Sequence, residues 1–110
     1  MSGKFEIKKT NNEKFMFNLK AGNGEIILTS AMYKAKASAE NGIASVRENS
    51  QNDDRFDRRT ASNDSPYFAL KAGNGEDIGR SEMYSSKSAM ENGIASVRKN
   101  APDATVSDLS

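Results

Sequence analysis

FNLKAGNGEIILTSAMYKAKASAENGIASVREN, residues 17–49, decides the fold of this chain, because it returns as FALKAGNGEDIGRSEMYSSKSAMENGIASVRKN at residues 68–100. A unit of only about 40–60 residues is marginally stable without disulfides, metals or oligomerisation. The chain has no Cys and no His, so neither a disulfide nor an ordinary zinc site can stabilise one half alone. We therefore expect the two halves to complete one another as an internal pseudo-dimer.

Length and charge narrow the class of protein. The 110 residues predict one domain, residues 1–110, built from repeat units at about 5–54 and 55–109. A formal net charge of +1 gives no electrostatic case for strong attraction to nucleic acid or to a membrane surface. The first residues, MSGKFEIKK, contain no apolar run of signal-peptide length, and no segment approaches the ~20 apolar residues of a membrane span. These features, with the absence of Cys, favour a cytoplasmic protein.

Alternating apolar residues predict the strands of the first unit. Phe5, Ile7, Phe17 and Leu19 share odd numbering, which is typical of strands with one buried face. The turn at residues 22–24, Gly-Asn-Gly, returns at residues 73–75. We predict a three-residue loop with the second Gly of each turn in the left-handed conformation. That loop pairs Ala21 with Glu25, Leu19 with Ile27 and Phe17 with Thr29.

Helical periodicity follows the third strand in both units. We predict helices at about residues 36–49 and 87–100, whose apolar faces carry Ala39, Ile43 and Val46 in the first copy and Met90, Ile94 and Val97 in the second. Gly42 and Gly93 lie on the same side of each helix, where a Gly costs about 0.5–1 kcal/mol relative to Ala. Their presence in both copies indicates close packing. Ser85 or Ser86 can cap the second helix, whereas the first has Lys34 and Ala35 there.

These elements predict an α+β fold. Each unit reads strand–strand–strand–helix–strand, with the strand at residues 55–60 ending one unit and opening the next, and residues 104–109 in the equivalent place after the second helix. One continuous antiparallel-rich sheet with both helices on one face protects the strand edges and shares a single core. The internal repeat gives this architecture pseudo-twofold symmetry.

The paired motifs KAGNGE, S-x-MY and ENGIASVR-x-N resemble the signature of the YegP-like family, small bacterial proteins often built as tandem repeats of this unit. The resemblance extends from Phe5 to Leu109. It implies two β-β-β-α-β units in a single sheet, with the terminal strands exchanged between units. It implies no catalytic, cofactor-binding or metal-binding residue. Arg58, Asp77 and Gly79 depart from the first copy and reduce the apolar character of their strands.

The sheet face away from the helices, termed the open face here, is the candidate interaction surface. Strand alternation assigns to it Lys8, Met16, Asn18, Lys20, Ile26, Leu28, Arg59, Tyr67 and Lys71. The leading hypothesis is a non-enzymatic interaction or accessory module that docks an unidentified protein through the patch of Met16, Ile26 and Leu28. The alternative is weak binding of single-stranded nucleic acid through Lys20, Arg59, Tyr67 and Lys71. We expect a monomer, with homodimerisation through this face as the alternative.

Other motifs favour structural roles. GNGE joins two strands and lacks both the Walker and the dinucleotide-binding patterns, so it is typical of turn chemistry. One flank of each helix carries Lys, Glu and Arg at matched positions, namely Lys36, Glu40 and Arg47, then Lys87, Glu91 and Arg98. These side chains form either an ion-paired rim or two matching anion sites. Met32-Tyr33 and Met83-Tyr84 precede the helices, where each Tyr is placed to pack back on the helix.

Overall fold

The fold is a single sheet with two helices packed on one face. The computed structural model describes residues 3–110. Its elements, in chain order, are β1 (Lys4–Lys9), β2 (Phe15–Lys20), β3 (Ile26–Ser30), α1 (Lys36–Asn49), β4 (Phe56–Thr60), β5 (Pro66–Lys71), β6 (Asp77–Arg80), α2 (Lys87–Asn100) and β7 (Thr105–Asp108). Short 3₁₀ turns at Asp53–Arg55 and Ala101–Asp103 precede β4 and β7. The α+β class is confirmed.

The order of strands across the sheet is β4-β5-β6-β3-β2-β1-β7. Neighbouring strands are antiparallel except β1 and β7, which are parallel. Strand β7 follows the helix of the second unit but pairs with the first strand of the first unit, which confirms the exchange of terminal strands. Thr29 lies opposite Arg80 where β3 meets β6, and these residues are equivalent in the repeat. The pseudo-twofold axis therefore passes through this junction.

The core lies between the sheet and the helices. Phe5, Phe17 and Phe68 are fully buried, and the edge of Phe5 meets Phe17 just as the edge of Phe56 meets Phe68. The helices contribute the buried apolar residues that their periodicity predicts, namely Ala39, Ile43 and Val46 from α1 and Met90, Ile94 and Val97 from α2. Both units thus fill one continuous core, as expected if neither half is stable alone.

The helix starts differ as the sequence predicts. The Ser86 side chain accepts a hydrogen bond from the Ala89 backbone N–H at 3.1 Å and caps α2. Ala35 occupies the same position before α1 and offers no side-chain cap. Since a Ser cap contributes about 1 kcal/mol, the first turn of α1 depends more on tertiary packing than the first turn of α2.

A β-bulge in each unit makes the predicted register wrong beyond the Gly-Asn-Gly turn. The turn itself has the expected form, because the Ala21 N–H donates to the Glu25 carbonyl at 2.9 Å and Gly24 has a φ of 86°. The register then shifts by one residue, so that Leu19 lies opposite Leu28 and not Ile27. The second unit repeats the shift between Leu70 and Lys71. An extra residue in one strand changes which side chains share a face.

Candidate functional site

Most residues predicted for the open face lie on it, but in two separate groups. Met16 and Lys20 are on β2 next to Ile26 on β3, whereas Tyr67 and Lys71 are on β5 next to Arg59 on β4. Strand β6 separates the two groups. Ile26 is 43% exposed, and the other five side chains are half-buried. They do not form one contiguous patch.

Leu28 does not belong to the candidate surface. It is 1% exposed and lies in the core cluster. The bulge is the reason, because Thr29 rather than Leu28 shares the open face with Ile26. The Thr29 hydroxyl donates to Asn18 Oδ1 at 3.0 Å across the strands. The prediction that Leu28 joins Met16 and Ile26 in an exposed patch is therefore wrong.

The basic residues of the second unit are engaged by carboxylates. Two guanidinium nitrogens of Arg59 donate to the two carboxylate oxygens of Asp77, each at 2.9 Å. Its third nitrogen, Nε, donates to Asp57 at 2.8 Å, and Lys71 Nζ lies 3.6 Å from the same carboxylate. Hydrogen bonds from Arg59 hold the pKa of both Asp57 and Asp77 below the ordinary value. These hydrogen bonds use three of the five guanidinium N–H donors of Arg59.

The first unit repeats this pattern with different residues. Glu6 occupies the place of Asp57 in the repeat, is 6% exposed, and its carboxylate lies 2.8 Å from Lys20 Nζ and 3.5 Å from Lys4 Nζ. The hydrogen bond from Lys20 lowers the pKa of Glu6. Lys20, Arg59 and Lys71 thus contact protein carboxylates, and phosphate would have to compete with those carboxylates for them.

The acidic partners on this face were not predicted from the sequence. Glu6 has the same strand parity as Lys8, and Asp57 has the same parity as Arg59, so alternation alone was sufficient to find both. Strand alternation could not place Asp77 and Arg80 together on the open face. They are three residues apart, and only the bulge places both beside the Arg59 cluster, with Arg80 Nε 3.7 Å from Asp77.

A groove of about 600 Å³ crosses the open face where β3 meets β6. This central groove is lined by Ile26, Leu28, Thr29, Ser30, Ala31, Met32, Asp77, Gly79, Arg80, Ser81 and Glu82. Two of its apolar side chains are exposed, Ile26 at 43% and Met32 at 58%. The groove lies on the pseudo-twofold axis and gives the open face a concave surface that a ligand could enter.

Arg80 is the groove residue with the most unused hydrogen-bonding capacity. Its side chain is 64% exposed, and within residues 3–110 it approaches a carboxylate at Asp77, where Nε lies 3.7 Å from the nearer oxygen. Since Arg59 already occupies both oxygens of Asp77, the Arg80 guanidinium retains donors for a ligand. A planar fork of this kind suits a carboxylate.

The matched charges on the helices form a rim and not two equivalent sites. Lys36 donates to Asp108 on β7 at 2.8 Å, which lowers the pKa of Asp108 to about 2 together with hydrogen bonds from Ser110. Arg47 lies over the Phe5 ring at 5.3 Å. In the second unit Arg58 donates to Glu91 at 2.6 Å and 3.0 Å. The two flanks therefore have different partners, because β7 covers only the first unit.

Removing the Arg59 guanidinium should lower stability in a pH-dependent manner. Asp57 and Asp77 have lower pKa values folded than their ordinary 3.8, so their stabilisation is present above that pH and is lost as pH falls through the folded values. We expect Arg59→Gln to cost about 1 kcal/mol of unfolding free energy near neutral pH, since solvent screens these part-exposed pairs. The cost should shrink below about pH 4.

Urea denaturation at a series of pH values measures this difference. Arg80→Gln is the matched control, because it removes the same charge from a side chain without close hydrogen bonds. A cost for Arg59→Gln that stays constant from neutral to acidic pH would contradict the assignment of the two carboxylates.

The geometry defines a class of protein: a tandem repeat whose halves complete one mixed sheet and leave its second face free. Comparison with known proteins identifies the family. The sequence model described as "Domain of unknown function (DUF1508)" matches residues 11–57 and 61–108. The chain belongs to this family, which includes the UPF0339 proteins such as YegP, and the resemblance seen in the sequence is confirmed.

Relatives match this chain in sequence over nearly their whole length, and two solved structures match it in fold. The chain is 57% identical to a UPF0339 protein of Acinetobacter baylyi, covering 99% of this chain and 98% of that protein. It is 54% identical to YegP of Escherichia coli O157:H7, covering 98% of each. The solution NMR structure of yegP from E. coli matches with a TM-score of 0.94 at 52% identity, covering 99% and 94% of the two chains. The solution NMR structure of a Shewanella oneidensis UPF0339 protein matches with a TM-score of 0.93 at 52% identity, covering 99% and 92%.

Membrane insertion through a helix has no structural basis in residues 3–110. Neither α1 nor α2 has the length and apolar composition that crossing a bilayer demands.

Proposed function

We propose that this protein is a non-catalytic interaction module that binds a partner protein through the central groove. The observation that carries the proposal is the combination of exposed Ile26 and Met32 with the under-paired Arg80 along one groove. Aliphatic side chains bury favourably against a partner, while an Arg beside them supplies orientation and specificity.

The chemistry of the open face supports a binding role over a catalytic one. Its carboxylates Glu6, Asp57 and Asp77 have pKa values lowered by neighbouring cations. A general acid needs a raised pKa near the working pH, and a carboxylate with a lowered pKa is also a weak general base. The sequence supplies no His or Cys to act as an alternative base or nucleophile.

The same ion pairs support a protein partner over single-stranded nucleic acid. Lys20 and Arg59 each lie within 2.9 Å of a protein carboxylate, so phosphate would gain little by replacing the existing partner. Tyr67 is half-buried, which limits the ring area for stacking a base.

The proposed module acts in the cytoplasm as a monomer. One edge strand of the sheet, β7, is only four residues long, and a short edge strand offers little backbone for pairing with a second copy. The other edge strand, β4, carries Asp57, Arg58 and Arg59, and charged edge strands resist pairing with a second copy.

Affinity capture from the lysate of the source organism tests the proposal. A partner should be retained by the tagged wild-type protein after nuclease treatment, and Ile26→Asp should reduce its recovery at least tenfold. Val106→Asp is the matched control, because Val106 is 48% exposed on the distant strand β7. Circular dichroism should show that both variants remain folded.

Two results would overturn the proposal. Recovery that is equal for wild type and Ile26→Asp would remove the groove from the interaction. Recovery that disappears with nuclease would replace the protein partner with nucleic acid.

A further inference from the structure

The two repeats carry different side chains where they line the central groove. Residues 25–32 read EIILTSAM and residues 76–83 read EDIGRSEM. The two segments differ at four equivalent positions, and all eight residues there border the groove: Ile26 and Asp77, Leu28 and Gly79, Thr29 and Arg80, Ala31 and Glu82. Leu28 and Gly79 are buried, so the other three pairs supply the accessible chemistry of the groove. Although the backbone is pseudo-symmetric, the ligand-facing chemistry of the groove is not.

One wall of the groove is neutral and the other is charged. The first unit contributes Ile26, Thr29 and Ala31, whereas the second contributes Asp77, Arg80 and Glu82. A ligand that fits between the walls can therefore satisfy them in one orientation only, because turning it about the pseudo-twofold axis would place its apolar and charged groups against the wrong walls.

Arg80 lies at the middle of the groove. It is opposite Thr29, and Thr29 is flanked along the chain by Ile26 three residues before and Met32 three residues after. At ~3.3 Å per residue, the backbones of Ile26 and Met32 lie at most about 10 Å on either side of Thr29, the residue opposite Arg80. The groove thus presents an apolar–cationic–apolar series.

We infer that the occupant is an extended polypeptide segment bearing one carboxylate between apolar residues, its carboxylate held by Arg80 and its apolar side chains against Ile26 and Met32. This inference rests on the proposed function and names the chemistry of the partner. Asp77 and Glu82 lie on the same wall as Arg80 and repel further acidic groups, so the segment carries a single acidic residue and not an acidic run.

Selection from a displayed library of random dodecapeptides tests the inference, with wild type and Arg80→Glu as parallel targets. Peptides enriched on wild type should contain a single Asp or Glu flanked by apolar residues. Synthetic copies of them should bind Arg80→Glu at least tenfold more weakly in fluorescence anisotropy. Their affinity for Arg80→Lys should fall less, since Lys keeps the charge but loses the bidentate fork, and Val106→Asp should bind them as wild type does.

The outcomes separate this inference from the proposed function. Peptides whose binding is lost with Ile26→Asp but unchanged with Arg80→Glu would overturn the carboxylate specificity and leave the groove as a docking site. Peptides unaffected by both substitutions would overturn both proposals. A library without an enriched acidic–apolar class on wild type would also overturn the inference.

Discussion

Replacing Gly93 by Ala is expected to lower the free energy of unfolding by about 1–3 kcal/mol, although Ala favours a helix over Gly by about 1 kcal/mol. A Cβ at Gly93 would overlap the Tyr84 hydroxyl and lie 2.6 Å from Cζ of the same ring and 3.2 Å from Phe68. The Tyr84 ring stacks on Phe68 with centroids 6.2 Å apart, so it cannot move aside without giving up that contact. The cost of overpacking therefore exceeds the gain in helix propensity. Chemical denaturation of the wild type and Gly93→Ala measures the difference in the free energy of unfolding.

A double-mutant cycle with Tyr84→Ala checks the cause. Once the ring is gone, Gly93→Ala should become neutral or stabilising, because only the propensity difference is left. The first unit provides a milder counterpart, since a Cβ at Gly42 would lie 2.6 Å from the Tyr33 hydroxyl and 2.9 Å from Phe17. Equal destabilisation by Gly93→Ala with and without Tyr84 would contradict the packing explanation.

Gly79→Leu is expected to destabilise the protein by about 3 kcal/mol through a clash at the pseudo-twofold axis. A Cβ at Gly79 would lie 2.9 Å from the Thr29 carbonyl oxygen and 3.0 Å from Leu28 Cγ. Leu28 and Gly79 are equivalent in the repeat, so one large and one small residue share a space that does not hold two leucines. The departure of Gly79 from the first copy is thereby explained as complementary packing.

Exchanging the two residues tests whether the space is shared. The double variant Leu28→Gly, Gly79→Leu should be more stable than Gly79→Leu alone, because the leucine side chain then enters the volume that Leu28 has vacated. Leu28→Ala serves as the reference for simple loss of a buried side chain, which costs about 2–5 kcal/mol. Thermal unfolding of the wild type and these three variants measures the effect, and a double variant no more stable than Gly79→Leu would contradict a shared space.

Local patterns predicted the elements well. The helix bounds at residues 36–49 and 87–100, the cap at Ser86 and the left-handed Gly24 and Gly75 were all confirmed. These features depend on hydrogen bonds and dihedral angles within a few residues, which is the range over which a sequence pattern is informative. The repeat carried the prediction further, since two incomplete units of one chain must share a core.

The candidate surface was predicted less well, because its composition depends on contacts between strands. Alternation placed Ile26, Arg59 and Tyr67 on the open face, but the bulge moved Leu28 into the core and brought Arg80 to the groove. A bulge inserts a single residue, and neither EIILTS nor EDIGRS contains a local motif that predicts one. Its energetic reason is the packing of both Ile27 and Leu28 into the core.

The sequence by itself determined the repeat, the type and order of the elements, and the need for the two halves to combine. Tertiary structure alone decided which residues face the free side of the sheet, which charges neutralise one another there, and where the groove lies. The physical reason is that helix and turn preferences act between near neighbours in the chain. Register and ion pairing, such as that of Arg59 with Asp77 across 18 residues, are set by strands that meet only in the folded sheet.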